Sequence, residues 1–89
     1  MSFEPTYLEN FEDYRDPEIR TRVTGPIKTH PERADCKMTH YSVTLAIFHG
    51  GKEVPGTKES LRGEYADGYQ AENSAFARGR ELVDRIMAL

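Results

Sequence analysis

Apolar and polar residues alternate along Thr39–His49. Tyr41, Val43, Leu45 and Ile47 fall on one side of an extended segment, and Ser42, Thr44 and Ala46 fall on the other. A period of two is that of a half-buried strand, so a strand is expected over about 39–49. Over 71–89 the period changes: Ala75, Phe76, Gly79, Leu82, Val83 and Ile86 recur at helical spacing and form one apolar stripe. A sheet with one apolar face needs a cover, and a helix with one apolar stripe supplies it. The expected fold class is therefore α+β, with a small antiparallel sheet of about three strands covered on one face by a C-terminal helix. Tyr41, Val43, Leu45, Ile47, Phe76, Leu82, Val83 and Ile86 are the expected core.

Shorter patterns fill in the rest. Residues 19–24 alternate again, Ile19, Thr21 and Val23 against Arg20, Arg22 and Thr24, and their β-branched content suits a second strand. Gly25-Pro26 marks a turn or an irregular strand end, and 30–37 (HPERADCK) reads as a polar loop. Gly50-Gly51 is expected to turn a hairpin, because glycine accepts the positive φ angles that tight turns require. Pro55-Gly56 interrupts the return strand, which should split into pieces near 52–54 and 60–66. Asp67 is placed to cap the last helix, with Gln70 three residues on. Glu81 and Arg85 form an i, i+4 pair on its solvent side. Gly79 costs about 1 kcal/mol of helix propensity, and its place on the stripe fits either a close approach to the sheet or a tolerated weakness.

The N-terminus reads as a short helix. Thr6-Tyr7-Leu8-Glu9 matches a capping box, Tyr7, Phe11 and Tyr14 recur at i, i+4 and i+7, and Pro17 ends the segment. A helix over about 7–15 has only two or three turns and needs a surface to pack on.

Composition narrows the class. Eighty-nine residues make one domain, 1–89, whose first 18 residues form an acidic segment. With 37% hydrophobic residues and no tryptophan, the core must be thin. The single Cys36 excludes an intramolecular disulfide and favours a reducing compartment. The acidic start, broken by a proline, is unlike a signal peptide, and no apolar run approaches the ~20 residues that span a bilayer. A soluble, cytoplasmic protein is expected. The net charge of −3 is segregated: residues 1–18 carry six acids against Arg15, and residues 19–52 carry six bases against Glu32 and Asp35. Either an acidic arm faces a basic surface, or both sets are simply solvated, which is the commoner case.

Candidate chemistry is sparse. His30, Cys36, His40 and His49 lie within twenty residues, but a tetrahedral zinc site wants four convergent ligands, and His40 and His49 fall on opposite faces of one strand. Cys36 with a nearby histidine lacks the setting of an activated nucleophile. Gly50-Gly51-Lys52 lacks the spacing of a phosphate-binding loop. No catalytic residue, metal or cofactor is assigned.

Binding surfaces are more legible. If 19–24 and 39–49 are neighbours, Arg20, Arg22, Ser42, Thr44 and Phe48 share the face away from the helix, an open polar surface with one aromatic. Tyr7, Phe11 and Tyr14 form either part of the core or an acidic amphipathic segment that docks into a partner. Gly25-Pro26, the strand Tyr41-Ser42-Val43-Thr44-Leu45-Ala46-Ile47, the Gly50-Gly51-Lys52 turn and the closing helix follow an order that resembles that of double-stranded RNA-binding domains. That family places a lysine cluster at the start of its last helix. Here the helix opens Gln70-Ala71-Glu72-Asn73-Ser74-Ala75, so the resemblance does not carry RNA binding with it.

The expected function is that of a small non-enzymatic binding or regulatory module acting through protein–protein contacts, with another protein or a second copy of itself as partner and no membrane. The alternatives are a nucleic-acid-binding domain and a small enzyme whose site the sequence does not display.

Overall fold

The computed structural model describes residues 6–35 and 37–88, the side chains of Thr6, Tyr7 and Arg62 excepted. The chain runs β1 (Thr6–Asp13), β2 (Glu18–Lys28), β3 (Thr39–His49), β4 (Lys52–Glu53), β5 (Glu59–Tyr65) and α1 (Gly68–Met87). All strand pairings are antiparallel, in the order β1-β2-β3, and β4 and β5 share the far side of β3. The result is an α+β architecture with, among the described residues, five strands, where the alternation suggested about three, and one covering helix.

The N-terminal segment is a strand and not a helix. Every residue of Thr6–Asp13 pairs with β2, from Thr6 opposite Gly25 to Asp13 opposite Glu18. The competition between the two structures explains the outcome. A two-turn helix is marginal on its own, whereas an eight-residue strand beside an already ordered β2 satisfies backbone groups along its whole length. The aromatic spacing that suggested a helix is divided between the two faces of the sheet. The turn into β2 is closed by the Tyr14 N–H donating to the Pro17 carbonyl at 3.0 Å, with Arg15 at φ 62°.

The β2–β3 register sets the core. Ile19 faces Ile47, Thr21 faces Leu45 and Val23 faces Val43, all on the side that α1 covers. Ile19, Ile47, Phe76 and Val83 form one buried cluster; Val23, Val43, Leu45, Ala71 and Ala75 form another. Leu82 packs against both. Of the expected core residues, Tyr41, Leu82 and Ile86 are only partly buried. Gly79 marks a close approach: a Cβ there would stand 2.5 Å from Ile19 Cγ2.

The hairpin turn and the helix cap form as expected, and one expected ion pair does not. Gly50 and Gly51 turn the β3–β4 hairpin at φ 63° and 80°. The Asp67 side chain accepts a hydrogen bond from the Gln70 N–H at 2.8 Å and caps α1. The Gly25-Pro26 irregularity is a register shift within β2, which continues to Lys28 and contains a cis peptide bond there. Glu81, expected to pair with Arg85, instead accepts from Arg78 at 2.9 Å.

The interruption between β4 and β5 is bridged by one side chain. Thr57 is 5% exposed. Its hydroxyl accepts from the Ile47 N–H at 3.1 Å and donates to the Val54 carbonyl at 2.7 Å. A hydroxyl thus replaces the missing strand neighbour, and the Ile47 N–H is met.

Candidate functional site

Because strand side chains alternate, the residues between the core positions all point away from α1. Register places Glu18 beside Phe48, Arg20 beside Ala46, Arg22 beside Thr44 and Thr24 beside Ser42. The five residues expected on the open face, Arg20, Arg22, Ser42, Thr44 and Phe48, therefore lie together on it. β1 adds a third column that the helical reading of the N-terminus had hidden: Glu9 opposite Arg22, Phe11 opposite Arg20 and Asp13 opposite Glu18.

Of the five expected residues, Arg20, Arg22, Thr44 and Phe48 line a trough of about 710 Å³, together with Glu9, Phe11 and Glu18. Its floor is made by small residues, Ala46 and Thr44. Phe11, Arg20, Phe48 and Lys58 rise around it. Phe11 is 62% exposed, a large apolar side chain on a sheet edge facing water. The Arg20 guanidinium lies 4.0 Å from the Phe48 ring centroid, a cation–π stack, and also bonds Glu18. Arg22 pairs with Glu9 at 3.4 Å.

The segregated charge thus has an internal explanation. Acids of the first eighteen residues meet bases across the fold: Glu9 meets Arg22, Glu12 meets Arg80, and Asp16 meets His49 at 2.6 Å. The Glu12 bond, with distances of 2.8 and 2.6 Å, raises the Arg80 guanidinium above its usual pKa. Hydrogen bonding to Glu59 and then to Glu81 does the same for Arg78. All these groups remain partly solvated, so each pair adds little stability.

The expected docking segment is split. Phe11 stands on the open face. Tyr14 turns toward α1, packs beside the Ile19 cluster and places its hydroxyl 3.2 Å from Asp84. The Tyr7 side chain lies outside the described residues. Tyr14 is therefore a tie between hairpin and helix, joined by Arg15 to Asp84 at 3.3 Å and by Asn10 to Glu72 at 3.0 Å.

The histidines do not gather. His40 shares a hydrogen bond with Thr29, His30 faces Glu32 and His49 faces Asp16. Cys36 lies outside the described residues. Among the described residues, no cluster of His, Cys, Asp or Glu forms that could hold a metal ion, and no helix is long and apolar enough to cross a membrane.

Glu9, Phe11, Glu18 and Lys58 were not read from the sequence as part of this face. The β1 residues carried no period-two signal, since Glu9, Phe11 and Asp13 on one side and Leu8, Asn10 and Glu12 on the other each include one apolar residue, so the capping and aromatic spacing dominated. Comparison with protein-family models, with curated proteins and with solved structures finds no match for the chain.

Proposed function

We propose that the open sheet face is a protein-docking surface and that the chain is a non-enzymatic binding module in a reducing, cytoplasmic setting. The observation that carries this reading is Phe11, 62% exposed beside a trough floored by Ala46 and Thr44. An exposed aromatic next to a shallow apolar floor, rimmed by charges of both signs, has the anatomy of an interface centre with a polar rim. The lone cysteine favours the reducing setting.

The same electrostatics count against a nucleic acid. Phosphate binding is driven by unneutralised lysine and arginine. Here Glu18 sits on Arg20 and Glu9 sits on Arg22. A backbone of phosphates entering the trough would meet those carboxylates as well as the arginines.

The test is affinity capture from native lysate with the intact chain and with a Phe11→Ser/Arg20→Ala variant, each half-treated with nuclease. The expected result is protein that survives nuclease and is missing from the variant. Capture that vanishes with nuclease, or that the variant retains, contradicts the proposal.

A further inference from the structure

Taking the open face as a docking surface, as proposed above, we infer that it fits a second copy of itself, in a two-fold, face-to-face arrangement. The argument rests on how charge and bulk are ordered along the strands. Nearest the β1–β2 turn, register puts Asp13, Glu18, Phe48 and Glu53 in one row across the sheet. The next row, two residues and about 7 Å along, is Phe11, Arg20 and Ala46, with Lys58 lining the trough beside them. The first row is acidic with one bulky apolar residue. The second is basic with one small apolar residue, Ala46, and one bulky one, Phe11, at its β1 end.

A two-fold axis lying across the strands, midway between these rows, sets each row over the other row of the second copy. Each strand then crosses its own equivalent. Glu18 meets the copy's Arg20, Glu53 meets the side of Lys58, Asp13 comes over Phe11, and Phe48 stands over the depression at Ala46, which is 7% exposed and has no bulk of its own. Symmetry forms each contact twice, as an isologous interface requires. The following row, with Glu9 and Arg22, comes over the β1–β2 turn, whose Arg15 and Asp16 are held by Asp84 and His49 of their own chain. The intramolecular Glu18–Arg20 pair becomes part of a four-charge network and need not be broken.

The area suits a reversible dimer. Four strand positions are about 19 Å wide, and the overlapping rows run for about 27 Å, so roughly 1,000 Å² is covered in total. That lies at the low end of specific interfaces, where association depends on concentration. Aligned sheets pack about 10 Å apart with a tilt near 30°, a gap that Phe48, Arg20 and Phe11 are long enough to fill. A nucleic acid lacks the acidic-to-basic alternation that this face presents, and a uniformly basic or acidic partner would match only one row.

Sedimentation equilibrium of the full chain, from low micromolar to near-millimolar concentration, reads the inference. The expected result is a monomer–dimer equilibrium. Arg20→Glu should weaken it by about tenfold or more, since it sets like charges opposite each other. Glu18→Arg/Arg20→Glu exchanges both signs and should return the affinity to within about threefold of the parent, the restored coupling of a double-mutant cycle. Both positions face solvent, and an unchanged denaturation midpoint verifies that each variant is folded. A chain that stays monomeric throughout overturns the second copy, as does a dimer indifferent to Arg20→Glu. In the monomeric case, Phe11-dependent capture of a different protein keeps the docking face, while its absence removes that too.

Discussion

The two faces of one sheet, built from alternate residues of the same strands, behave as different materials. On the α1 side, Ile19, Val43, Leu45 and Ile47 are at most 1% exposed and interlock with Ala71, Ala75, Phe76 and Val83. One residue along the chain in each case, Arg20 is exposed and Thr44 and Phe48 are half-buried on the face that α1 leaves uncovered. The first face holds the fold together through burial. The second contributes surface pairs and one cation–π stack, interactions that are individually weak. A shift of a single position along a strand moves a residue from one face to the other.

Substitutions that interrogate this division should have graded effects on the chemical denaturation midpoint. The largest is expected from Ile47→Ala, which empties a fully buried site between β3 and α1 and should cost about 2–5 kcal/mol; a midpoint near that of the parent would show that the helix is not clamped on this face. Next is Thr57→Val, which keeps the shape but leaves the Ile47 N–H unpaired. It should cost roughly 1–3 kcal/mol.

Gly79→Ala sharpens the comparison through its sign. Helix propensity alone favours alanine by about 1 kcal/mol. The approach of Ile19 Cγ2, 2.5 Å from where the new carbon would stand, calls for displacement that costs about 1–3 kcal/mol. Net destabilisation is expected, and a stabilised variant would show that the contact relaxes freely. The smallest effect belongs to Phe11→Ser/Arg22→Ala on the open face, expected within about 0.5 kcal/mol per site.

What was legible in the sequence follows the same division. β3, the inner part of β2, the Gly50-Gly51 turn, the split return strand, the Asp67 cap and α1 were all readable because each has a local cause: a period, a turn chemistry or a cap. The five open-face residues on β2 and β3 were readable for the same reason, since alternation assigns a face without knowledge of the partner strand. β1 was not. Its Thr6-to-Glu9 capping box and its aromatics at 7, 11 and 14 are helical signals, and what overrides them is pairing with Glu18–Gly25, a contact that local spacing does not encode. With β1 misread, Glu9 and Phe11 were lost from the face, and with them the trough. Thr57 was also unreadable, because its role depends on a gap that exists only once β4 and β5 both lie along β3.

The division between a face that folds and a face that docks is tested most directly by measuring the Phe11→Ser/Arg20→Ala chain twice, for its denaturation midpoint and for the protein it captures from native lysate. The expected result is a midpoint displaced by no more than about 1 kcal/mol together with loss of the captured protein. Retained capture on an equally stable chain would contradict the account.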